Sequence, residues 1–192
     1  MWERRHDLSN KRILEIGSGT SLPGILAAKC GAHVTLSDCC TLPKTLAHIK
    51  RSCELNNLEP GKDIEVIGLN WGLLLNNLHN FGAIDYIIGS DCFYDPTVFE
   101  DILVTISFFL DQNRGCKFIF SYQERSTDWS IEALLKKWDL KCVNINISQI
   151  GKESGINVKD FMQDHTIHLL EIFREYTKKN NNAISNNDNS GQ

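Results

Sequence analysis

Short runs of β-branched and aromatic residues alternate with amphipathic segments along most of the chain. This alternation is typical of strand and helix units arranged around a mostly parallel sheet. We therefore predict an α/β fold with a doubly wound, seven-stranded sheet. The predicted strands are Arg12–Ile16, His33–Ser37, Ile64–Leu69, Ile84–Ser90, Lys117–Tyr122, Lys141–Ile147 and Thr166–Phe173.

The segments between these strands carry helix signals. The first helix is predicted to begin near Ser21, and the second to cover Leu42–Asn56. Residues 95–111 and 128–139 each open with an aspartate that can cap a helix, and their apolar residues recur at i, i+3 and i+4. The polar stretch 148–164 shows no convincing long helix, so the last two strands are predicted to form an antiparallel pair joined by a long loop.

Composition limits the size and partners of the molecule. With 192 residues, 42% of them hydrophobic, we predict one domain over residues 1–175 and a disordered, Asn-rich tail over residues 176–192. A net charge of -4 argues against nucleic acid as the direct partner, and no apolar run reaches the roughly 18 residues of a membrane span. Seven cysteines without a C-x-x-C pair indicate a reducing compartment, which we expect to be the cytoplasm and nucleus.

The stretch ILEIGSGTSLPGILAAKCG, residues 13–31, places glycines between a predicted strand and a predicted helix. Gly17 and Gly19 allow a bare backbone turn that can approach an anionic or dipolar ligand, although simple loop geometry is the alternative. Gly24 follows five residues later, unlike the third glycine of a dinucleotide motif. Glu15 would repel pyrophosphate but attract a sulfonium ligand with an amino group. The predicted cofactor is S-adenosylmethionine.

Two further strand ends carry residues suited to a nucleoside. Asp38 closes the second strand and can accept hydrogen bonds from a ribose diol, although aspartate is also a common turn residue. Asn70 and Trp71 follow the third strand, where an indole can lie against adenine or simply at the edge of the core. Since parallel strands end at one edge of the sheet, we expect these residues to lie near the glycine turn.

The fourth strand ends in GSDCFYDP, which contains the D-x-x-Y pair Asp91 and Tyr94. The carboxylate can hold a cationic amine or guanidinium, and the ring can line the path to the reacting methyl group. Helix capping is the alternative role for Asp91. Asp95 and Glu124 are candidate second carboxylates without a clear placement. The histidines lack the spacing of metal ligands, so no metal is predicted.

Together, LEIGSGTSLPGILAAKCGA, LSD, LNWG, SDCFYDP and FSYQERSTDWSIEALLKKWDLKCV resemble the class I, seven-strand methyltransferases of methyltransferase-like family sixteen. The resemblance runs from about Lys11 to Phe173. It implies a Rossmann-like sheet and an S-adenosylmethionine-dependent transfer of methyl groups to lysine, or in some members arginine, of proteins. The implied site comprises Glu15, Gly17 and Gly19 at the methionyl part, Asp38 at the ribose, Asn70 and Trp71 at the adenine, and Ser90, Asp91 and Tyr94 at the reacting end.

The resemblance further implies a protein partner, with a histone or a chaperone as candidates, and we expect a monomer without membrane contact. Alternatives are a catalytically weak interaction protein that keeps the fold, and a small-molecule methyltransferase or dehydrogenase. Similar proteins carry an N-terminal lid segment with a Trp-Pro pair before the first strand, where this sequence has MWERRHDLSN. We expect weak cofactor binding without that lid, unless Trp2 and its neighbours fold over the site instead.

Overall fold

A computed structural model describes residues 1–73, 81–126, 130–162 and 165–176. Within these ranges the chain forms a seven-stranded sheet of order β3-β2-β1-β4-β5-β7-β6. All seven predicted strands are present, and the doubly wound α/β fold is confirmed. The strands are β1 (Arg12–Ile16), β2 (His33–Asp38), β3 (Glu65–Gly68), β4 (Tyr86–Ser90), β5 (Lys117–Gln123), β6 (Lys141–Asn144) and β7 (Ile167–Phe173).

Strands β1 to β5 are mutually parallel, so their carboxyl ends share one edge of the sheet. We call this the carboxyl edge. The last pair has the predicted geometry, because β7 runs antiparallel to both β5 and β6. Every candidate site residue therefore belongs to, or follows, a strand that ends at the carboxyl edge.

Six α-helices surround the sheet in the described ranges: α1 (Leu22–Lys29), α2 (Pro43–Leu55), α3 (Phe99–Gln112), α4 (Glu132–Lys137), α5 (Ile147–Glu153) and α6 (Lys159–Met162). The segment between β6 and β7 differs from the prediction, because it contains the short helices α5 and α6 where a long loop was expected. Asn146 caps α5 by accepting a hydrogen bond from the Gln149 N–H. The prediction missed this helix because the hydrophobic periodicity of the segment is weak. No helix of the described part of the chain is long and apolar enough to cross a membrane.

The third predicted helix begins later than expected. Asp95 caps a short 3-10 turn over Pro96–Val98, and α3 follows it from Phe99. Asp128, the other predicted cap, and residues 177–192 of the predicted tail lie outside the described residues.

The sheet separates two hydrophobic clusters. Leu14 and Ile16 point into a core with α3 and α4, whereas Ile13 points into a core with α1 and α2. All three side chains are at most 2% exposed. Because alternate residues of β1 are locked into opposite cores, the end of this central strand is a rigid support for the turn that follows it.

The N-terminal residues Trp2–Asp7 form a 3-10 turn. Its Arg4 pairs with Glu171 of β7 at 3.2 Å and lies over the ring of Tyr86, the first residue of β4. These contacts place the turn near the amino ends of the parallel strands. The Arg4 part of this segment therefore lies away from the carboxyl edge, whereas the side chain of Trp2, which the alternative lid requires, falls outside the described residues.

Candidate active site

The glycine-rich turn between β1 and α1 has the backbone geometry that its sequence predicts. Gly17 and Gly19 have φ angles of +55° and +49°, values that residues with a Cβ rarely adopt. The turn is tied to β2, because the Ser18 N–H donates to the Ser37 carbonyl at 2.9 Å and the Ser37 N–H donates to Ser18 Oγ at 3.1 Å. These bonds are buried, so the turn is held in one position.

The two turn glycines face different surroundings. A Cβ on Gly17 would lie 3.0 Å from Cys92 Sγ and 3.1 Å from a ring carbon of Trp71. Among the described residues other than its two chain neighbours, a Cβ on Gly19 would meet no atom closer than the Gly17 carbonyl oxygen at 3.9 Å. Packing therefore explains the glycine at position 17, whereas the backbone at Gly19 has open space beside it that a ligand can use.

Gly24 is needed for close packing, a role that its spacing from Gly19 in the sequence did not predict. A Cβ there would lie 2.3 Å from Glu15 Oε2 and 2.4 Å from Leu36 Cδ2. Both neighbours are at most 1% exposed, so neither has room to move aside. The glycine lets the first turn of α1 approach β1 and β2 closely.

Glu15 lies in the space below this first turn. Its Oε2 accepts a hydrogen bond from the Gly24 N–H at 3.0 Å, and the residue is 1% exposed. Burial raises the pKa of the Glu15 carboxyl to about 8, although the Gly24 N–H acts in the opposite direction. The carboxyl is thus largely protonated at neutral pH until a cation approaches it, and its role toward the methionyl group stays a prediction.

Asp38 lies beside the open glycine. Its Oδ2 accepts from the Gly19 N–H at 3.0 Å, and its Oδ1 accepts from the Cys39 N–H at 2.8 Å. A carboxylate oxygen accepts two hydrogen bonds, so each oxygen retains capacity for a hydroxyl group. The Asp38 carboxylate and the open backbone at Gly19 together fit the ribose part of S-adenosylmethionine.

Asn70 and Trp71 connect β3 to the same region. Asn70 Oδ1 accepts from the Cys40 N–H at 3.0 Å, which fixes the loop that follows Asp38. The partly buried Trp71 ring packs against the core beside Gly17. Both residues therefore support the walls of the site, and their contact with adenine stays a prediction.

Asp91 follows the last residue of β4, with a φ of +56° that aspartate tolerates better than most residues. Its N–H donates to the Ser121 carbonyl of β5 at 2.6 Å, and the adjacent Ser90 lies opposite Ser121 in the sheet. This backbone bend places a half-exposed carboxylate, with 49% of the side chain accessible, at the carboxyl edge.

The Asp91 carboxylate is bound by a guanidinium. Arg125 Nη1 donates to Oδ1 at 3.0 Å, and Nη2 donates to Oδ2 at 2.6 Å. The Arg125 hydrogen bonds hold the pKa of the Asp91 carboxyl below its usual range, with a smaller opposing effect of burial. The carboxylate is therefore ionised throughout the neutral pH range.

The structure excludes helix capping as the role of Asp91. Asp95, not Asp91, caps the turn before α3, because its Oδ1 accepts from the Thr97 N–H at 3.0 Å and from Thr97 Oγ1 at 2.7 Å. Tyr94 is 54% exposed, which leaves its ring available to line an acceptor path. The other candidate carboxylate, Glu124, lies 2.9 Å from His168 Nε2.

Two residues of the site were missed by sequence reasoning, namely Arg125 and the buried Cys92, whose Sγ packs beside Gly17. Neither has a diagnostic spacing. The one available signal was topological, since a residue just after β5 falls at the same edge as Asp91. Among the described residues, no group of three or more His, Cys, Asp or Glu side chains could hold a metal ion.

Contacts join all five parallel strand ends into one continuous surface. Asn70 contacts the loop after β2, Asp38 contacts the glycine turn after β1, and Arg125 after β5 contacts Asp91 after β4. Cys92 bridges the middle, since its Sγ lies 3.4 Å from the Ile16 carbonyl oxygen. The predicted residues at this edge are Glu15, Gly17, Gly19, Asp38, Asn70, Trp71, Ser90, Asp91 and Tyr94.

Known proteins share both the sequence and the fold. A family model described as lysine methyltransferase matches residues 3–134. The histone-arginine methyltransferase METTL23 of Xenopus laevis is 50% identical over 173 residues, which cover 90% of this chain and 73% of that protein. The Homo sapiens protein of the same name is 45% identical, with 90% of each chain covered.

A solved structure of magnesium protoporphyrin IX methyltransferase (ChlM) from Synechocystis PCC 6803, with bound SAM, superposes with a TM-score of 0.61 at 16% identity. The match covers 88% of this chain and 72% of that one. This likeness confirms the fold, and the family match confirms the predicted resemblance. The chain belongs to the lysine methyltransferase family and has the Rossmann-like fold of S-adenosylmethionine-dependent methyltransferases.

Proposed function

We propose that this protein transfers a methyl group from S-adenosylmethionine to a side-chain nitrogen of a protein, and that the acceptor is arginine. The observation that carries the proposal is the Asp91 carboxylate, which is ionised, half-exposed and bound to a guanidinium through both oxygens at the carboxyl edge. The family description names lysine, whereas the two relatives above are named histone-arginine methyltransferases. A histone is accordingly the first acceptor to test.

The residues around the glycine turn would hold the cofactor. The open backbone at Gly19 and the acceptor capacity of Asp38 suit the ribose, and the buried Glu15 carboxyl offers a counter-charge to an amino group. Asn70 and Trp71 are proposed to form the adenine wall, with Gly17 and Ser90 completing the pocket toward the acceptor. When bound, the cofactor supplies an electrophilic methyl group on a sulfonium.

The protein's own contribution is mainly orientation. The attacking nitrogen must lie in line with the methyl group at close approach, so alignment and exclusion of water supply most of the acceleration. The sulfur would leave as a neutral thioether, and the proton displaced from the nitrogen would pass by way of the Asp91 carboxylate to solvent. We propose that Asp91 holds the acceptor guanidinium by a charge-assisted pair of hydrogen bonds, and that the exposed Tyr94 ring lines its path. Both residues are proposed catalytic residues because they touch the acceptor.

The cellular setting is also a proposal. All seven cysteines are free thiols, which supports a reducing compartment such as the cytoplasm or nucleus. We further propose that the protein acts as a monomer and binds neither nucleic acid nor membrane directly.

The test uses cofactor labelled on the methyl group, purified core histones and total cell-extract protein as acceptors. Acid hydrolysis of the labelled product distinguishes methylarginine from methyllysine, and calorimetry with S-adenosylhomocysteine measures cofactor binding separately. We expect label in methylarginine. Methyllysine alone would contradict the choice of acceptor, and cofactor binding without any transfer would favour the non-catalytic interaction protein.

A further inference from the structure

Arg125 lies two residues beyond the end of β5 and binds Asp91 of the neighbouring strand end. Its two terminal nitrogens donate one hydrogen bond to each carboxylate oxygen, at 3.0 and 2.6 Å, in a bidentate arrangement. This is the arrangement in which a carboxylate recognises a guanidinium in general. Arg125 thus makes, within the chain, the contact that the proposed function assigns to the acceptor.

We propose that Arg125 is an internal guanidinium that occupies Asp91 in the resting enzyme and competes with the acceptor for that carboxylate. The inference rests on the proposed function of Asp91. An acceptor must displace Arg125 before it can bind Asp91 through both oxygens. Arg125 therefore sets how tightly an acceptor binds before transfer.

The exposure of the pair makes this exchange easy. The side chains of Arg125 and Asp91 are 32% and 49% exposed, so water and salt screen their attraction. Arg125 Nη1 also donates to the Gln123 carbonyl oxygen at 3.3 Å, a partner that does not depend on Asp91. Since an exposed pair is only modestly stable, occupancy by Arg125 weakens acceptor binding by a few-fold and does not block it.

The Asp91 carboxylate discriminates between acceptor chemistries. A second guanidinium presents two parallel N–H donors and restores both hydrogen bonds that Arg125 gives up. The ammonium group of lysine is a compact charge without this fork, so it does not recover the same pair of bonds. This difference favours arginine over lysine at Asp91 itself, whereas the displacement of Arg125 weakens the binding of both acceptors by the same factor.

The experiment compares wild type, Arg125→Ala, Arg125→Lys and the control Arg51→Ala, which removes an exposed ion pair on α2. Each is assayed with two peptides of identical sequence apart from a central arginine or lysine. For Arg125→Ala we expect KM for the arginine peptide to fall about threefold or more, with kcat within about twofold. KM for the lysine peptide should fall by a similar factor, so the preference for arginine over lysine in kcat/KM should stay within about twofold, and the KM values of Arg125→Lys should lie between those of wild type and Arg125→Ala.

Peptide affinity in the presence of S-adenosylhomocysteine gives a readout that does not depend on turnover. Tighter binding of both peptides to Arg125→Ala than to wild type supports the competition. Equal affinities, or a fall in kcat at constant KM, would overturn it and make Arg125 a residue that only positions Asp91. Failure of the proposed function looks different, because then Asp91→Ala binds the arginine peptide as well as wild type does.

Discussion

The two halves of the carboxyl edge are built on different physical principles. On the side of β1, β2 and β3, the groups that shape the turn are buried, with Glu15, Ser18 and Ser37 at most 6% exposed, and their partners are mainly backbone groups. On the side of β4 and β5, the central interaction is the half-exposed ion pair of Asp91 and Arg125. A buried hydrogen-bond network is costly to rearrange, whereas an exposed ion pair exchanges partners easily.

This difference matches the two tasks of a methyltransferase. A cofactor of constant shape is best bound by a site that is already in its final geometry, because little ordering free energy is then lost on binding. An acceptor side chain arrives as part of another protein and must replace the water or the side chain that is bound to the Asp91 carboxylate. We therefore expect variants in the first half to change cofactor affinity or stability, and variants in the second half to change transfer.

Asp91→Ala gives the largest expected effect. Methyl transfer should fall about 100-fold or more, because the acceptor loses its proposed anchor, while affinity for S-adenosylhomocysteine should stay within a few-fold. Labelled transfer and calorimetry measure the two quantities. Asp95→Ala is the matched control, since it removes a nearby carboxylate that caps the turn before α3. If Asp91→Ala lost cofactor binding and transfer together, the division of the carboxyl edge into a cofactor half and an acceptor half would be wrong.

Asp38→Ala tests the opposite half. Affinity for S-adenosylhomocysteine should weaken by about 1.5–3 kcal/mol, the range for hydrogen bonds to charged groups, and the protein should remain folded. Asp38→Asn keeps an oxygen for the Gly19 N–H and should lose less. If calorimetry found the alanine variant unchanged in affinity, with the same melting temperature, Asp38 would be a turn residue without a role in binding.

Two glycine substitutions separate packing from ligand access. Gly24→Ala should lower the free energy of unfolding by about 1–3 kcal/mol, because its Cβ would collide with buried Glu15 and Leu36. Gly19→Ala meets no such neighbour, so it should cost about 1–2 kcal/mol from its positive φ and should also weaken cofactor binding. Denaturant unfolding and calorimetry check both. A Gly24→Ala protein as stable as wild type would refute the close packing of α1.

Glu15→Gln should change the pH dependence of stability. Because burial raises the pKa of Glu15 from 4.5 to about 8, folding favours the protonated form. The wild-type free energy of unfolding should therefore fall as pH rises from 4.5 toward 8, because the unfolded chain releases the proton that the folded protein retains. Glutamine does not titrate, so the variant should show a shallower decline.

The control for this experiment is Glu65→Gln, which alters an exposed glutamate at the start of β3. Denaturant unfolding at several pH values compares the slopes of the three proteins. Identical slopes for Glu15→Gln and wild type would show that the buried carboxyl does not change its protonation in this range.

Much of the fold and of the site's location could be predicted from the sequence. Strands such as β1 and β5 matched their predicted starts, because apolar runs bounded by turn residues are local signals. Parallel topology then brought the strand ends to one edge without further information. The short helices α5 and α6 were missed, since a helix of one or two turns has too few residues to show periodicity.

By itself, the sequence determined the strands, the glycine turn and the residue types at the carboxyl edge, because each depends on neighbours within a few positions along the chain. Only the tertiary structure decided which partners those residues have. Asp91 meets Arg125 across 34 positions, and Glu15 takes the Gly24 N–H instead of facing open solvent. The Trp71 ring packs beside Gly17. Such pairings depend on how helices and strands pack in three dimensions, which residue spacing along the chain does not encode.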